Sequence, residues 1–90
     1  MTELDCKKWA VDAAVVIVQG EAHKLNRAHI EPLRATLQRE GDKALTVTRD
    51  DLRRYETLQA TLVEAAERLA AESKTLAKKI AKEELATVSD

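Results

Sequence analysis

The chain contains no phenylalanine, one tryptophan (Trp9) and one tyrosine (Tyr55), so it lacks the aromatic stock that lines most small-molecule pockets. Its single cysteine, Cys6, cannot close a disulfide within the chain, which removes the cross-linked secreted scaffold as a way to hold ninety residues together. Two glycines, Gly20 and Gly41, and one proline, Pro32, leave few breaks in the chain, and none of them interrupts its second half. No charge of one sign dominates either. Fifteen Lys and Arg stand against 16 Asp and Glu, so attraction to nucleic acid or membrane requires a face on which the cations are segregated.

What remains is Ala, Leu, Val and charge: 44% of residues are apolar and 34% charged. That is the composition of helices with heptad-like stripes. A single chain of this size buries a modest core, so an extended helical monomer needs a partner to be well stabilised. The most apolar stretch, "WAVDAAVVIVQG" at residues 9–20, is about half of the roughly 20 residues needed to cross a bilayer. No small-residue cleavage site follows it before the chain turns polar at Gln19 to Lys24. The expectation is a cytoplasmic protein with no membrane span.

One single helical-hairpin domain over residues 1–90 accounts for the pattern. Thr2 caps a first helix over about residues 3–40, with Glu3 and Asp5 placed favourably in the first turn. Leu4, Val11, Val15, Val18, Ala22, Leu25, His29, Leu33 and Leu37 recur along it at helical spacing. His29 on this stripe is expected to be buried or in an interface. Pro32 removes an N–H and crowds the preceding turn, so the helix should kink near His29 to Glu31, or restart with Pro32 at its first position. Gly41 and Asp42 stop the helix. The connector runs over 41–48 with an extended piece at Leu45 to Val47, and Thr48 opens a second helix over about 49–86 through a capping-box-like "TRDD". Along that helix Leu52, Tyr55, Leu58 or Gln59, Leu62, Ala65 or Ala66, Leu69, Leu76, Ile80 and Leu85 form one apolar side.

The first helix is apolar on a second side as well. Trp9, Ala13, Val16, Ile17 and Gly20 lie nearly opposite its main stripe. A hairpin supplies only one neighbour, so the second should come from another copy of the chain. The expected fold class is all-α: an antiparallel hairpin assembling as a homodimeric four-helix bundle with Trp9, Ala13, Val16, Ile17 and Gly20 at the interface. A lone hairpin with an over-apolar helix is the alternative.

The second helix has a basic back. At about 100° per residue, Arg49, Arg68, Lys74, Lys78, Lys79 and Lys82 fall within about 80° of Arg53, and Thr57, Thr61 and Thr75 share the arc. Glu64 and Glu67 interrupt it. Such a row suits phosphate contacts, which position a nucleic acid without reading its sequence, and a two-fold axis would double it into one long, flat, basic surface. Ordinary solvated pairs such as Glu64 with Arg68 are the competing explanation. No enzyme is expected. His23 and His29 are six residues apart and point to different parts of the helix, so no metal site is formed; Cys6 has no base beside it; and no glycine-rich loop, cofactor motif or small-molecule site is present.

The opening "MTELDC" and the segment "DLRRYETLQATLVEAAERLAAES" resemble the small RNA-silencing suppressors of nodaviruses: a Met-Thr start with Cys at position six, then Asp51, Leu52, Tyr55 and Arg68 at matching spacing. The resemblance implies an all-helical homodimer that binds double-stranded RNA along one face in the host cytoplasm and shields it from dicing and from loading into silencing complexes. It implies that Arg68 is the central phosphate-binding arginine. Arg49, Arg53, Thr75, Lys78, Lys79 and Lys82 join it as RNA-binding candidates by geometry alone. Duplex RNA, whose deep major groove hides its bases, is a ligand read by shape and phosphate position. Pro32, the connector and the Glu-bearing C-terminal end depart from the family's pattern. The other class the sequence admits is a protein-interaction module, such as a helical-hairpin secretion chaperone or coiled-coil adaptor.

Overall fold

A computed structural model describes the backbone of residues 1–89 and the side chains of residues 1–86. Within them the chain is all-α. Helix α1 (Glu3–Leu25) passes through a π turn (Asn26–Ile30) into α2 (Glu31–Glu40). A 3-10 turn (Gly41–Lys43) then leads to the long return helix α3 (Thr46–Ser89). The result is a rod of 72 × 15 × 15 Å.

Local chemistry accounts for the start of α1. The Thr2 hydroxyl oxygen accepts from the Asp5 N–H at 3.2 Å, and Asp5 Oδ2 accepts from the Thr2 N–H at 2.9 Å, a capping box with Asp in the usual Glu position. Two orphan donors are satisfied before the first full turn closes.

The seam between the arms is a heptad repeat. On α3 the inward positions are Leu52, Tyr55, Gln59, Leu62, Ala66, Leu69, Ser73, Leu76 and Ile80, stepping by three and four, and all are buried or half-buried. On the other arm Leu4, Val11, Val15, Val18, Ala22 and Leu25 face them. Leu58, at 47% exposure, and Leu85, at 67%, lie outside the seam, which takes Gln59 instead of Leu58.

Pro32 is accommodated by the π turn. The Glu31 N–H donates to the Asn26 carbonyl, five residues back, and the Asn26 amide donates to Glu31 Oε1 at 3.2 Å across the widened turn. The wider turn gives room for the proline ring at the second position of α2, one place later than the first position that the sequence suggested.

The extra residue of the π turn also shifts the register. Without it, the heptad after Ala22 and Leu25 would continue to His29, Pro32 and Thr36. With it, Ile30, Leu33 and Leu37 take the seam. Ile30 is fully buried, whereas His29, expected to be buried or in an interface, is exposed in the hairpin and stacks on Tyr55 with ring centroids 4.5 Å apart and planes 5° from parallel.

The turn between α2 and α3 is tighter than the sequence suggested. Gly41 ends α2 at φ 56°, ψ −128°, a conformation that glycine alone adopts cheaply. Ala44 is extended and buried, and α3 begins at Thr46, so Val47 and Thr48 already belong to its first turn. The Leu45 carbonyl accepts from the Thr48 N–H at 3.0 Å and the Arg49 N–H at 3.3 Å, which leaves Thr48 inside the helix and not at its cap.

Candidate nucleic-acid interface

Because the α3 seam faces α1, positions halfway round the heptad face away from it. Arg53, Arg68, Lys74, Thr75, Lys78 and Lys82 occupy that outer side, and all are exposed. From Arg68 to Lys82 its residues are Arg68, Ala71, Lys74, Thr75, Lys78, Ala81 and Lys82, with no acid among them. This acid-free stretch spans about 21 Å at 1.5 Å per residue. Glu64 and Glu67 are confined to the N-terminal part of the face, with Arg53, Thr57 and Thr61. Among the described residues no ion pair engages Arg53, Arg68, Lys74, Lys78, Lys79 or Lys82. Glu64 and Arg68 are not paired, and among the described residues no carboxylate lies within ion-pair distance of the cations on the C-terminal half of this face.

Three predicted residues are placed less simply. The Arg49 guanidinium donates from Nη2 to the Gly41 carbonyl at 3.1 Å, which ties the first turn of α3 to the connector. The Thr75 hydroxyl donates to the Ala71 carbonyl at 3.2 Å, as Thr57 does to Arg53 and Thr61 to Thr57, so in this rotamer its proton is committed to the helix. Lys79 lies on the flank of α3. With Lys82, Glu83, Thr2, Glu3, Leu4 and Lys7 it lines a cleft at the open end of the hairpin. Lys7 is the cation that a reading of α3 alone misses. It comes from the other arm and is held to Glu3 only by a 3.8 Å contact between exposed side chains.

A polar cluster sits in the seam beneath. Asp12 accepts from Lys8 Nζ at 2.8 Å and from the Ser73 hydroxyl, and these two donors, Lys8 first, hold its carboxyl below the usual carboxylate range. Ser73, 9% exposed in an inward position of α3, thereby keeps a partner across the seam.

The back of α1 is the other exposed feature. Trp9 is 69% exposed, Val16 69% and Ile17 65%; Ala13 is half-buried, and nothing lies within 4 Å of where a Cβ on Gly20 would stand.

Neither a family model nor a curated protein nor a solved structure matches this chain. Among the described residues no helix is long and apolar enough to cross a membrane, and no group of three His, Cys, Asp or Glu side chains could hold a metal ion.

Proposed function

We propose that two copies of this chain form a homodimer that binds double-stranded RNA through the outer side of α3, without reading its sequence. Bound this way, the duplex is shielded from the host's RNA-silencing machinery in the cytoplasm. The observation that carries the reading is the acid-free, unpaired row of Arg68, Lys74, Lys78 and Lys82 on a rigid helix. Each cation placed against a phosphate releases a condensed counterion, which drives binding that is strong at low salt and indifferent to base sequence. The resemblance of the Asp51, Leu52, Tyr55 and Arg68 spacing to the nodavirus suppressors supplies the choice of RNA and the protective role.

The dimer is supported by area. A compact folded chain of 10.0 kDa exposes about 5,200 Å². This chain exposes 6934 Å². The excess of about 1,700 Å² per chain is about twice the roughly 800 Å² that each partner buries in a standard-sized stable interface, and part of it is the apolar back of α1. That apolar back also favours a second reading, a hairpin adaptor whose α1 docks a different protein.

A gel-shift series decides between them. Duplex RNA of arbitrary sequence should shift at low salt, release steeply as salt rises, and bind Arg68→Ala more weakly at every sequence while the circular dichroism stays unchanged. Absence of a shift at low salt, or a shift insensitive to salt, refutes the RNA reading and leaves the adaptor.

A further inference from the structure

The back of α1 has its own heptad. Cys6, Ala13 and Gly20 alternate with Trp9, Val16 and His23 at steps of three and four, and Ala10, Ile17 and Lys24 flank them on one side. We infer that this seam pairs with the same seam of a second copy in antiparallel orientation, with Trp9 packing over the partner's Gly20 and Val16 against the partner's Ala13. The inference rests on the homodimer of the proposed function and specifies its geometry.

Size decides the direction. In an antiparallel pair the two sets of seam positions share layers, so Trp9 meets the partner's Gly20, Ala13 the partner's Val16, and Cys6 the partner's His23. Every bulky residue then stands opposite a small one. The open space around Gly20 is where an indole fits, and the absent Cβ lets the helices approach. In a parallel pair each residue would face its own copy: Trp9 against Trp9 and Val16 against Val16, with a void between the two Gly20 positions.

Charge agrees with size. The flanking positions of an antiparallel pair set Glu3 opposite the partner's Lys24 and Ala10 opposite the partner's Ile17. Within one chain Glu3 and Lys24 make only loose contacts, 3.8 Å to Lys7 and 3.5 Å to Glu21, which leaves both free to exchange partners.

The shape of the dimer follows. This seam lies on the side of α1 opposite α3, so the four helices form a layer with the two α1 helices inside and the two α3 helices outside. The basic outer sides of α3 then face apart, at the two edges of the layer, and do not merge into the single doubled surface that the sequence suggested.

Cysteine cross-linking tests the pairing. Cys6 and its counterpart in an antiparallel dimer are about 25 Å apart along the axis, seventeen residues at 1.5 Å each, too far for a bridge. Cys6 and the partner's position 23 share a layer. Under oxidised glutathione, His23→Cys should therefore run as a covalent dimer on a non-reducing gel. The wild type and the double variant Cys6→Ser/His23→Cys should both run as monomers. Sedimentation of the reduced proteins supplies the second readout. Trp9→Gly and Gly20→Trp should each weaken the dimer by roughly 100-fold, and the two together should recover most of that loss. A covalent dimer through Cys6 alone overturns the antiparallel direction, and so does failure of His23→Cys to cross-link in a protein that sediments as a dimer. A monomer at micromolar concentration overturns the pairing and the homodimer together. Duplex binding is measured separately, so loss of the gel shift from a cross-linkable dimer refutes only the RNA reading.

Discussion

Replacing Ile30 by alanine tests the register that the π turn imposes. Ile30 is the one large side chain in the described residues with no exposed surface, and it reaches the seam only because the turn carries an extra residue. Loss of three buried carbons plus the cavity they leave costs about 3 kcal/mol, within the 2–5 kcal/mol range for such truncations. The comparison is His29→Ala. That change removes a ring stacked on Tyr55 from an exposed position and costs about 1 kcal/mol. With a urea dependence of about 1 kcal/mol per molar for a small chain, the unfolding midpoint should fall by about 3 M for Ile30→Ala and about 1 M for His29→Ala. Far-UV circular dichroism follows both transitions, at one fixed protein concentration because association contributes to apparent stability. An uninterrupted α-helix would put His29 in the seam and reverse the order. A larger loss from His29→Ala than from Ile30→Ala would therefore refute the register shift.

Deleting Ala28, an exposed residue of the π turn, together with Pro32→Ala should leave a continuous α-helix with the seam still in register, and helicity and urea midpoint should stay near wild type; deleting Ala14 instead should destabilise the hairpin, because it shifts half of the α1 seam. Gly41→Ala forces a side chain into a positive-φ conformation and should cost about 1–3 kcal/mol in the same assay. Asp12 has a folded-state pKa lowered by Lys8 and Ser73, so its contribution is present above the ordinary carboxylate range and is lost as pH falls through the lower folded value; Asp12→Asn should flatten the stability profile below about pH 4. Lys78→Ala and Lys82→Ala should each reduce the slope of log affinity for duplex RNA against log salt by about one, and an unchanged slope would remove that lysine from the interface.

Several features were legible in the sequence because they depend on neighbours a few residues away. Thr2 announces the cap of the first helix, to which the structure adds the reciprocal bond from Asp5; the steps of three and four declare helices, and the one turn-forming glycine with positive φ, Gly41, marks the end of the first arm. The cations of α3 could be placed on one side by angle alone, since a straight helix fixes the direction of every residue relative to Arg53. That the same arc also held Glu64 and Glu67 was visible too; their confinement to its N-terminal half is simply their position along the axis.

The tertiary structure decided what depends on the other arm. A uniform helical period could not foresee a π turn, because the ring of Pro32 can be relieved by a kink, a break or an added residue; only the last keeps Ile30, Leu33 and Leu37 against α3. The same holds for Arg49, whose angle put it on the basic arc but whose guanidinium found the Gly41 carbonyl across the turn. Lys7 joined Lys79 and Lys82 only when the hairpin closed and brought residues 7 and 82 to one cleft. Asp12, the single charge in "WAVDAAVVIVQG", gained its meaning from Ser73, sixty-one residues away. The sequence by itself determined that the chain is helical, where its arms turn, and which sides are apolar or basic, because propensity and periodicity are local. Register across the seam, and which cations stay free, required packing of one arm on the other.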